Sequence, residues 1–276
     1  MANLGASVSP DTGSLAWDFA ALTDPGRVRA NNEDTIAYDP GLGLVLLADG
    51  MGGYNGGEVA SGMAVALLQA SFGRWLAHAG PSANPRAVRR ALQAGTDEAN
   101  TAILEAGVAN LQLQGMGTTL VLAAFGPRRV IVGHIGDSRC YRLREDKLEL
   151  LTRDHSLLQE QLDAGAITPE QASLSPHRNL VTRALGIERH VELEMHEHNV
   201  KAGDVFLLCS DGLSEMVPDG QLFTILLQQT GLSEKATLLV ATANENGGKD
   251  NISVVLARAG SSSSDAAQAS GSPGSD

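Results

Sequence analysis

Ten short strand-like runs come along this chain in blocks, and long helical stretches stand between the blocks instead of alternating with single runs. Strands are read at 16–23, 34–39 and 43–48, followed by helices at 56–78 and 86–112 that the GPSANP turn at 80–85 folds into an antiparallel hairpin. A second block of strands covers 117–125, 129–136, 139–144 and 147–151, and further strands are read at 191–197, 204–210 and 251–258. Two more helices fit 219–229 and 233–246, the latter with Ser233 as its N-cap and Gly247-Gly248 as its stop. In the 191–197 run Val191, Leu193 and Met195 alternate with Glu192, Glu194 and His196, which gives that strand one wet face. An order of this kind is not a chain of βαβ units; it predicts an antiparallel sheet sandwich with helices packed outside it. Residues 154–190 break the pattern, with a short helix, a capped turn at Thr168-Pro169-Glu170-Gln171 and the polar SPHRN stretch at 175–179, and read as an excursion from the core.

With 276 residues, 43% of them hydrophobic, the chain has material for one sizeable core, and no linker or internal repeat divides it. Residues 1–14 and 260–276 are small and polar, the second stretch with seven Ser and no Lys or Arg; both are expected to be disordered, leaving 15–259 as one folded unit. Lys+Arg number 20 and Asp+Glu 32, a net charge of −12, which argues against nucleic acid or an anionic membrane as partner. An anionic substrate must then be held by few groups or by metal ions. Cys140 and Cys209 form no C-x-x-C pair, which excludes a thiolate zinc site and a disulfide framework. No apolar run reaches the roughly 20 residues that span a bilayer, and the start lacks the regions of a signal peptide. A cytoplasmic protein is expected.

Four times an aspartate sits at the end of an apolar run: Asp49, Asp137 and Asp211 close strands, and Asp250 opens one. In an antiparallel sandwich a strand running the opposite way starts beside its neighbours' ends, so all four carboxylates can gather at one rim. Asn32-Glu33-Asp34, opening another strand, can join them. A single Asp-Gly after a strand is ordinary turn chemistry, but the set calls for another cause. Two carboxylates about 4 Å apart at an effective dielectric near 20 repel by about 4 kcal/mol. Such a cluster needs cations, and all-oxygen ligands select magnesium, manganese or calcium over zinc.

Other motifs fail on spacing. The glycine-rich run 50–57 follows a strand and precedes a helix, but it lacks glycines at offsets 0, 2 and 5, and Asp49 just before it would repel a pyrophosphate. Gly247-Gly248-Lys249 lacks the first glycine of a phosphate loop, no G-x-S-x-G elbow is present, and His196 and His198 read as strand-face residues.

The residues carry a family resemblance. The blocks Arg29-Ala30-Asn31-Asn32-Glu33-Asp34, Ala48-Asp49-Gly50-Met51-Gly52-Gly53 and Gly57-Glu58-Val59-Ala60-Ser61 resemble the metal-dependent protein serine/threonine phosphatases, the protein phosphatase 2C family. In the family's order follow Gly115-Met116-Gly117-Thr118-Thr119, Gly136-Asp137-Ser138-Arg139, Asp154-His155-Ser156, Thr182-Arg183-Ala184-Leu185-Gly186, Ser210-Asp211-Gly212-Leu213 and Asp250-Asn251-Ile252-Ser253. The DGMGG form resembles the bacterial branch.

The resemblance implies an α+β, four-layer αββα sandwich of two antiparallel sheets flanked by helix pairs, with a flap over about 155–190. It implies hydrolysis of phosphoserine and phosphothreonine by water activated between two Mn2+ or Mg2+ ions. Asp49 matches the carboxylate bridging both ions, the Gly50 carbonyl a ligand of one, and Asp211 and Asp250 ligands of the other. Glu33 and Asp34 match surroundings of the second ion, and Asp137 a ligand of a third, weaker ion. Arg29 matches the arginine that grips the substrate phosphate; the alternative is a surface salt bridge. Where animal members have a histidine after Asp-Gly, this chain has Met51, so the leaving oxygen is protonated by metal-bound water or by His155, for which a purely structural flap role is the other reading. Phosphorylated proteins are the expected partners, with a serine/threonine kinase as a candidate and a monomer as the expected state. A hydrolase of small phosphoesters and a catalytically silent module of the same fold are the alternatives; the second would have lost metal ligands, and every expected position here is filled.

Overall fold

The computed structural model describes residues 15–53, 55–80, 83–173 and 180–260. The expectations for 1–14, for the tail after 260 and for the SPHRN stretch lie outside these residues. In chain order the strands are β1 (Trp17–Asp24), β2 (Asp34–Asp39), β3 (Leu44–Met51), β4 (Gly117–Thr118), β5 (Leu120–Phe125), β6 (Arg129–Ile135), β7 (Arg139–Arg144), β8 (Lys147–Leu150), β9 (Glu194–Asn199), β10 (Val205–Cys209) and β11 (Ile252–Ala259). The helices are α1 (Gly56–Ala79), α2 (Pro85–Ala109), α3 (Leu157–Asp163), α4 (Pro169–Ser173), α5 (Asp211–Ser214), α6 (Asp219–Leu227) and α7 (Leu232–Glu245).

One sheet runs β1-β11-β10-β7-β8 and the other β2-β3-β5-β6-β9, with β4 added beside β3; every pairing is antiparallel. Val45, Leu47, Val121, Val132, Phe206, Leu208 and Val255 fill the space between the sheets. Their neighbours in sequence point the other way: Leu44, Leu46 and Leu122 pack under α1 and α2, while Leu207, Cys209, Val254 and Leu256 pack under α6 and α7. These strands are covered on both faces, which is why they read as continuous apolar runs although the sheets are antiparallel. The result is the four-layer αββα, α+β arrangement that the resemblance implies.

Several boundaries differ from the sequence reading, each for a side-chain reason. β3 runs on through Asp49 and Gly50 to Met51, because β4 pairs Thr118 with Gly50 and Gly117 with Met51. The expected strand 117–125 is broken at Thr119, whose N–H and hydroxyl turn to Asp49. β9 starts three residues later than expected, since the Leu193 N–H is taken by the Gln93 side chain at 3.1 Å. Ser233 is not the cap of α7; Gly231 is, with no side-chain bond. Asn84 caps α2 by accepting the Ala87 N–H at 3.0 Å. The capped turn at Thr168 forms as expected, Gln171 Oε1 accepting the Thr168 N–H at 2.9 Å and Thr168 Oγ1 the Gln171 N–H at 3.3 Å.

Candidate metal centre

The strand register decides which carboxylates meet. β2 and β3 pair with Asp34 directly opposite Asp49. β10 ends with Cys209 opposite Val254 of β11, so Ser210-Asp211, where the chain turns into α5, lies beside Asp250-Asn251 at the start of β11. The Ser210 hydroxyl donates to Asp34 Oδ2 at 2.9 Å, crossing from one sheet to the other. Gly136-Asp137-Ser138 forms the turn between β6 and β7; Ser138 Oγ lies 2.8 Å from Thr119 Oγ1, which accepts the Asp49 N–H at 3.1 Å. Asn251 ties the remaining loop, with its Oδ1 accepting the Glu33 N–H at 2.8 Å and its Nδ2 donating to the carbonyls of Pro25 and Asn31. Asp34, Asp49, Asp137, Asp211 and Asp250, with Glu33 at the edge, thus share one rim.

Close backbone approach explains two of the glycines. A Cβ on Gly50 would lie 2.1 Å from the Gly57 carbonyl oxygen, so β3 can touch the first turn of α1 only without a side chain there. At Gly212 a Cβ would meet the Asn251 carbonyl oxygen at 2.1 Å.

Charge is concentrated at this rim. Burial, and then the charges of Asp34, Asp211, Asp137 and Asp250, push Asp49 well above the usual carboxylate range. Asp211 is raised in the same sense by burial, then by Asp137 and Asp250. Burial lifts Asp34 to about 7 against the hydrogen bonds it receives, and Asp137 to about 6, with Asp154 adding to the effect. Glu33 is raised chiefly by burial. Asp34 Oδ1 and Asp211 Oδ1 are buried without a hydrogen-bond partner. Orphaned, mutually repelling carboxylate oxygens are costly unless cations occupy the space between them, and an all-oxygen donor set fits magnesium or manganese. Glu33, Asp34, Asp49, Asp137, Asp211 and Asp250 are therefore the residues that could hold metal.

Arg29 reaches the same rim. Its side chain is 53% exposed and its Nη2 lies 2.6 Å from Asp250 Oδ2, so Arg29 does form a surface salt bridge, at the mouth of the site.

His155 is occupied elsewhere. The Gly136 N–H donates to its Nδ1 at 3.2 Å, which requires a lone pair there and leaves the proton on Nε2, 3.1 Å from Glu194 Oε2. The ring stacks on His134 at 4.6 Å. His134, His155 and Glu194 offer ligand atoms within 4.8 Å of one another. For His155 to ligate through Nε2 its proton would have to move to Nδ1, against the Gly136 N–H, so the trio reads as a hydrogen-bonded support for the Asp137 turn and the segment that starts at Asp154. Glu194 came out of the sequence only as the wet face of a strand, because its histidine partner is 39 residues away. Ser210 and Asn251 stood next to predicted ligands, and nothing local foretold their bonds across the rim.

A sequence model described as protein phosphatase 2C matches residues 27–252. The serine/threonine phosphatase Stp of Listeria innocua is 40% identical over 237 residues, 85% of this chain and 92% of that protein. The crystal structure of the Mycobacterium tuberculosis serine/threonine phosphatase PstP superposes with a TM-score of 0.78 at 39% identity, covering 89% of this chain and 99% of that one. A structure of the PstP catalytic domain in complex with two manganese ions superposes equally well, TM-score 0.78 at 38% identity over 90% of this chain and 100% of the other. By fold, by motif order and by these likenesses, the chain belongs to the protein phosphatase 2C family.

Proposed function

We propose that this protein is a metal-dependent protein serine/threonine phosphatase acting on phosphoserine and phosphothreonine in phosphorylated proteins. The observation that carries this reading is the buried carboxylate rim with its orphaned oxygens on Asp34 and Asp211, in a chain akin to proteins named serine/threonine phosphatases. Asp49, Gly50 through its carbonyl, Asp211 and Asp250 would hold two divalent ions, with Glu33 and Asp34 beside them and Asp137 serving a third. Bound there, Mn2+ or Mg2+ supplies an acidified water as nucleophile and positive charge for the phosphate oxygens.

The chain's own groups do the rest. Arg29, half-exposed and, among the described residues, paired with Asp250 alone, swings its planar fork onto two phosphate oxygens, which is how so acidic a protein holds a dianionic ester. Met51 offers no proton, and His155 is tied at both nitrogens; the leaving serine or threonine oxygen takes its proton from water. Residues 15–259 form the catalytic domain, 155–190 the flap that borders the site, and 1–14 and 260–276 take no part. No helix among the described residues is long and apolar enough to cross a membrane; the proposed setting is the cytoplasm, as a monomer opposing a serine/threonine kinase.

The test is hydrolysis of a phosphothreonine peptide and an aryl phosphate with manganese, with magnesium and with chelator. Metal-dependent turnover of both is expected. Turnover of the aryl phosphate alone would make the protein a hydrolase of small phosphoesters, and no turnover in metal would make it a silent module.

A further inference from the structure

Away from the carboxylate rim, a cavity of about 390 Å³ is lined by Arg89, Arg90 and Gln93 of α2, by Arg183, and by residues 192–195 leading into β9. A second cavity of about 540 Å³ shares Gln93 and Glu192 with it and continues the groove to Arg189 and His190. Among the described residues eight arginines are held in ion pairs. Among the described residues seven are not, and four of those seven, Arg89, Arg90, Arg183 and Arg189, line this groove. In a protein of net charge −12, so many guanidinium groups without carboxylate partners on one groove leave a local excess of donors. The acids present do not use it up: both Glu194 oxygens are taken by His155 and His196 at 3.1 and 3.0 Å, and Asp97 accepts from Gln93 Nε2 at 2.8 Å, which leaves two lining carboxylates, Glu192 and Asp97, against four arginines.

The groove is a built one. Gln93 accepts the Leu193 N–H and donates to the Val191 carbonyl, and Asn100, about two turns further along α2, accepts the Gly186 N–H at 2.7 Å and donates to the Glu188 carbonyl at 2.9 Å, so helix and wall are pinned. It also joins the catalytic rim. Glu194 of its wall bonds His155, and His155 bonds the Gly136 N–H immediately before Asp137; Arg183 follows Thr182, whose N–H donates to the His155 carbonyl at 2.8 Å.

Planar, unpaired guanidinium groups are suited to a phosphoryl group, which they can hold with paired, charge-assisted hydrogen bonds. Resting on the phosphatase reading above, we propose that the Arg89-Arg90-Arg183 cavity binds a second phosphoryl group on the same protein segment whose scissile phosphate occupies the carboxylate rim. The preferred substrates are then multiply phosphorylated segments, and the site acts on KM.

The test compares a phosphothreonine peptide with the same peptide carrying a second phosphoserine, at spacings of about 2 to 8 residues, or about 7 to 29 Å of extended chain, using the full chain with manganese. At the best spacing KM falls by about tenfold, the scale of one strong charge-assisted hydrogen bond; the double variant Arg89→Ala/Arg90→Ala, and separately Arg183→Ala, abolish that difference. Aryl phosphate turnover and Tm stay unchanged in all variants, since these side chains make no ion pair. A peptide with Glu in place of the second phosphoserine should show less than half of the gain on a logarithmic scale; an equal gain would make the site a general acidic-peptide site and overturn the phosphoryl assignment. No spacing preference, a preference that survives the arginine variants, or equal losses on aryl phosphate would each overturn the proposal. Failure to hydrolyse the singly phosphorylated peptide would instead overturn the phosphatase reading.

Discussion

Metal-free protein should lose stability as pH rises from 4 to 7, opposite to the usual behaviour of carboxylates in folded proteins. Asp34 and Asp137 have an ordinary value of 3.8 and stand at about 7 and about 6 in the folded chain. A carboxyl raised by folding binds more protons folded than unfolded, so its contribution is full below the unfolded value and is lost as pH rises through the folded one. With about 1.4 kcal/mol per pKa unit, Asp34 accounts for about 4 kcal/mol and Asp137 for about 3. Each proton also relieves its neighbours, so about 5 kcal/mol together is a fair total, or about 10–20 °C in Tm for a chain of this size. Several groups act in the other direction, among them Glu149, drawn down by its hydrogen bond from Arg142. Glu194, drawn down to about 2 by its histidine hydrogen bonds against the effect of burial, has its contribution complete above the ordinary value of 4.5. His134 and His198, both lowered by burial, oppose the trend as pH rises toward their ordinary value of 6.5 without reversing it. Calorimetry in chelator from pH 4 to 7 measures the slope; manganese should abolish it, and Asp34→Asn, whose amide oxygen can still accept from Ser210, should roughly halve it. A Tm in chelator that is flat or rises over this range would refute the electrostatic account of the rim.

Three further outcomes follow from the same geometry. Asp211→Asn should abolish turnover, leave the circular dichroism spectrum unchanged and raise Tm in chelator by a few degrees, since it removes one of the mutually repelling charges; an unfolded variant would make Asp211 a structural residue. Arg29→Ala should raise KM for phosphopeptides about tenfold or lower kcat, with Tm nearly unchanged because an exposed ion pair contributes about 0–1 kcal/mol; unchanged kinetics would leave Arg29 a surface residue. Gly50→Ala should cost about 3 kcal/mol and lower Tm by about 6–12 °C, through the overlap with Gly57; an unchanged Tm would mean that β3 and α1 separate freely.

How far the site could be read from sequence depended on whether its signals were local. An aspartate at the end of an apolar run marks its own position, and antiparallel pairing then brings such positions together, so Asp49, Asp137, Asp211 and Asp250 are legible in the sequence. Alternation marked a wet face only on the 191–197 run, because the central strands are covered on both faces and read as continuous apolar runs. What stayed hidden was carried by single side chains from distant segments: Thr119 turning a predicted strand into two, Gln93 delaying β9, Ser210 crossing between sheets to Asp34, and Glu194 holding His155. Ser233 misled because a serine near a helix start is a good cap by type, while the helix is capped two residues earlier, at Gly231.

The central claim is that the strand-end carboxylates form a metal site that drives phosphoester hydrolysis. Titrating Mn2+ into chelator-stripped full chain, with free ion followed by electron paramagnetic resonance and phosphothreonine hydrolysis measured in the same samples, tests it directly. The account predicts about two tightly bound equivalents, activity rising with them from a zero baseline, and loss of both in Asp49→Asn. Full turnover in chelator, or saturable binding that Asp49→Asn leaves intact, would contradict it.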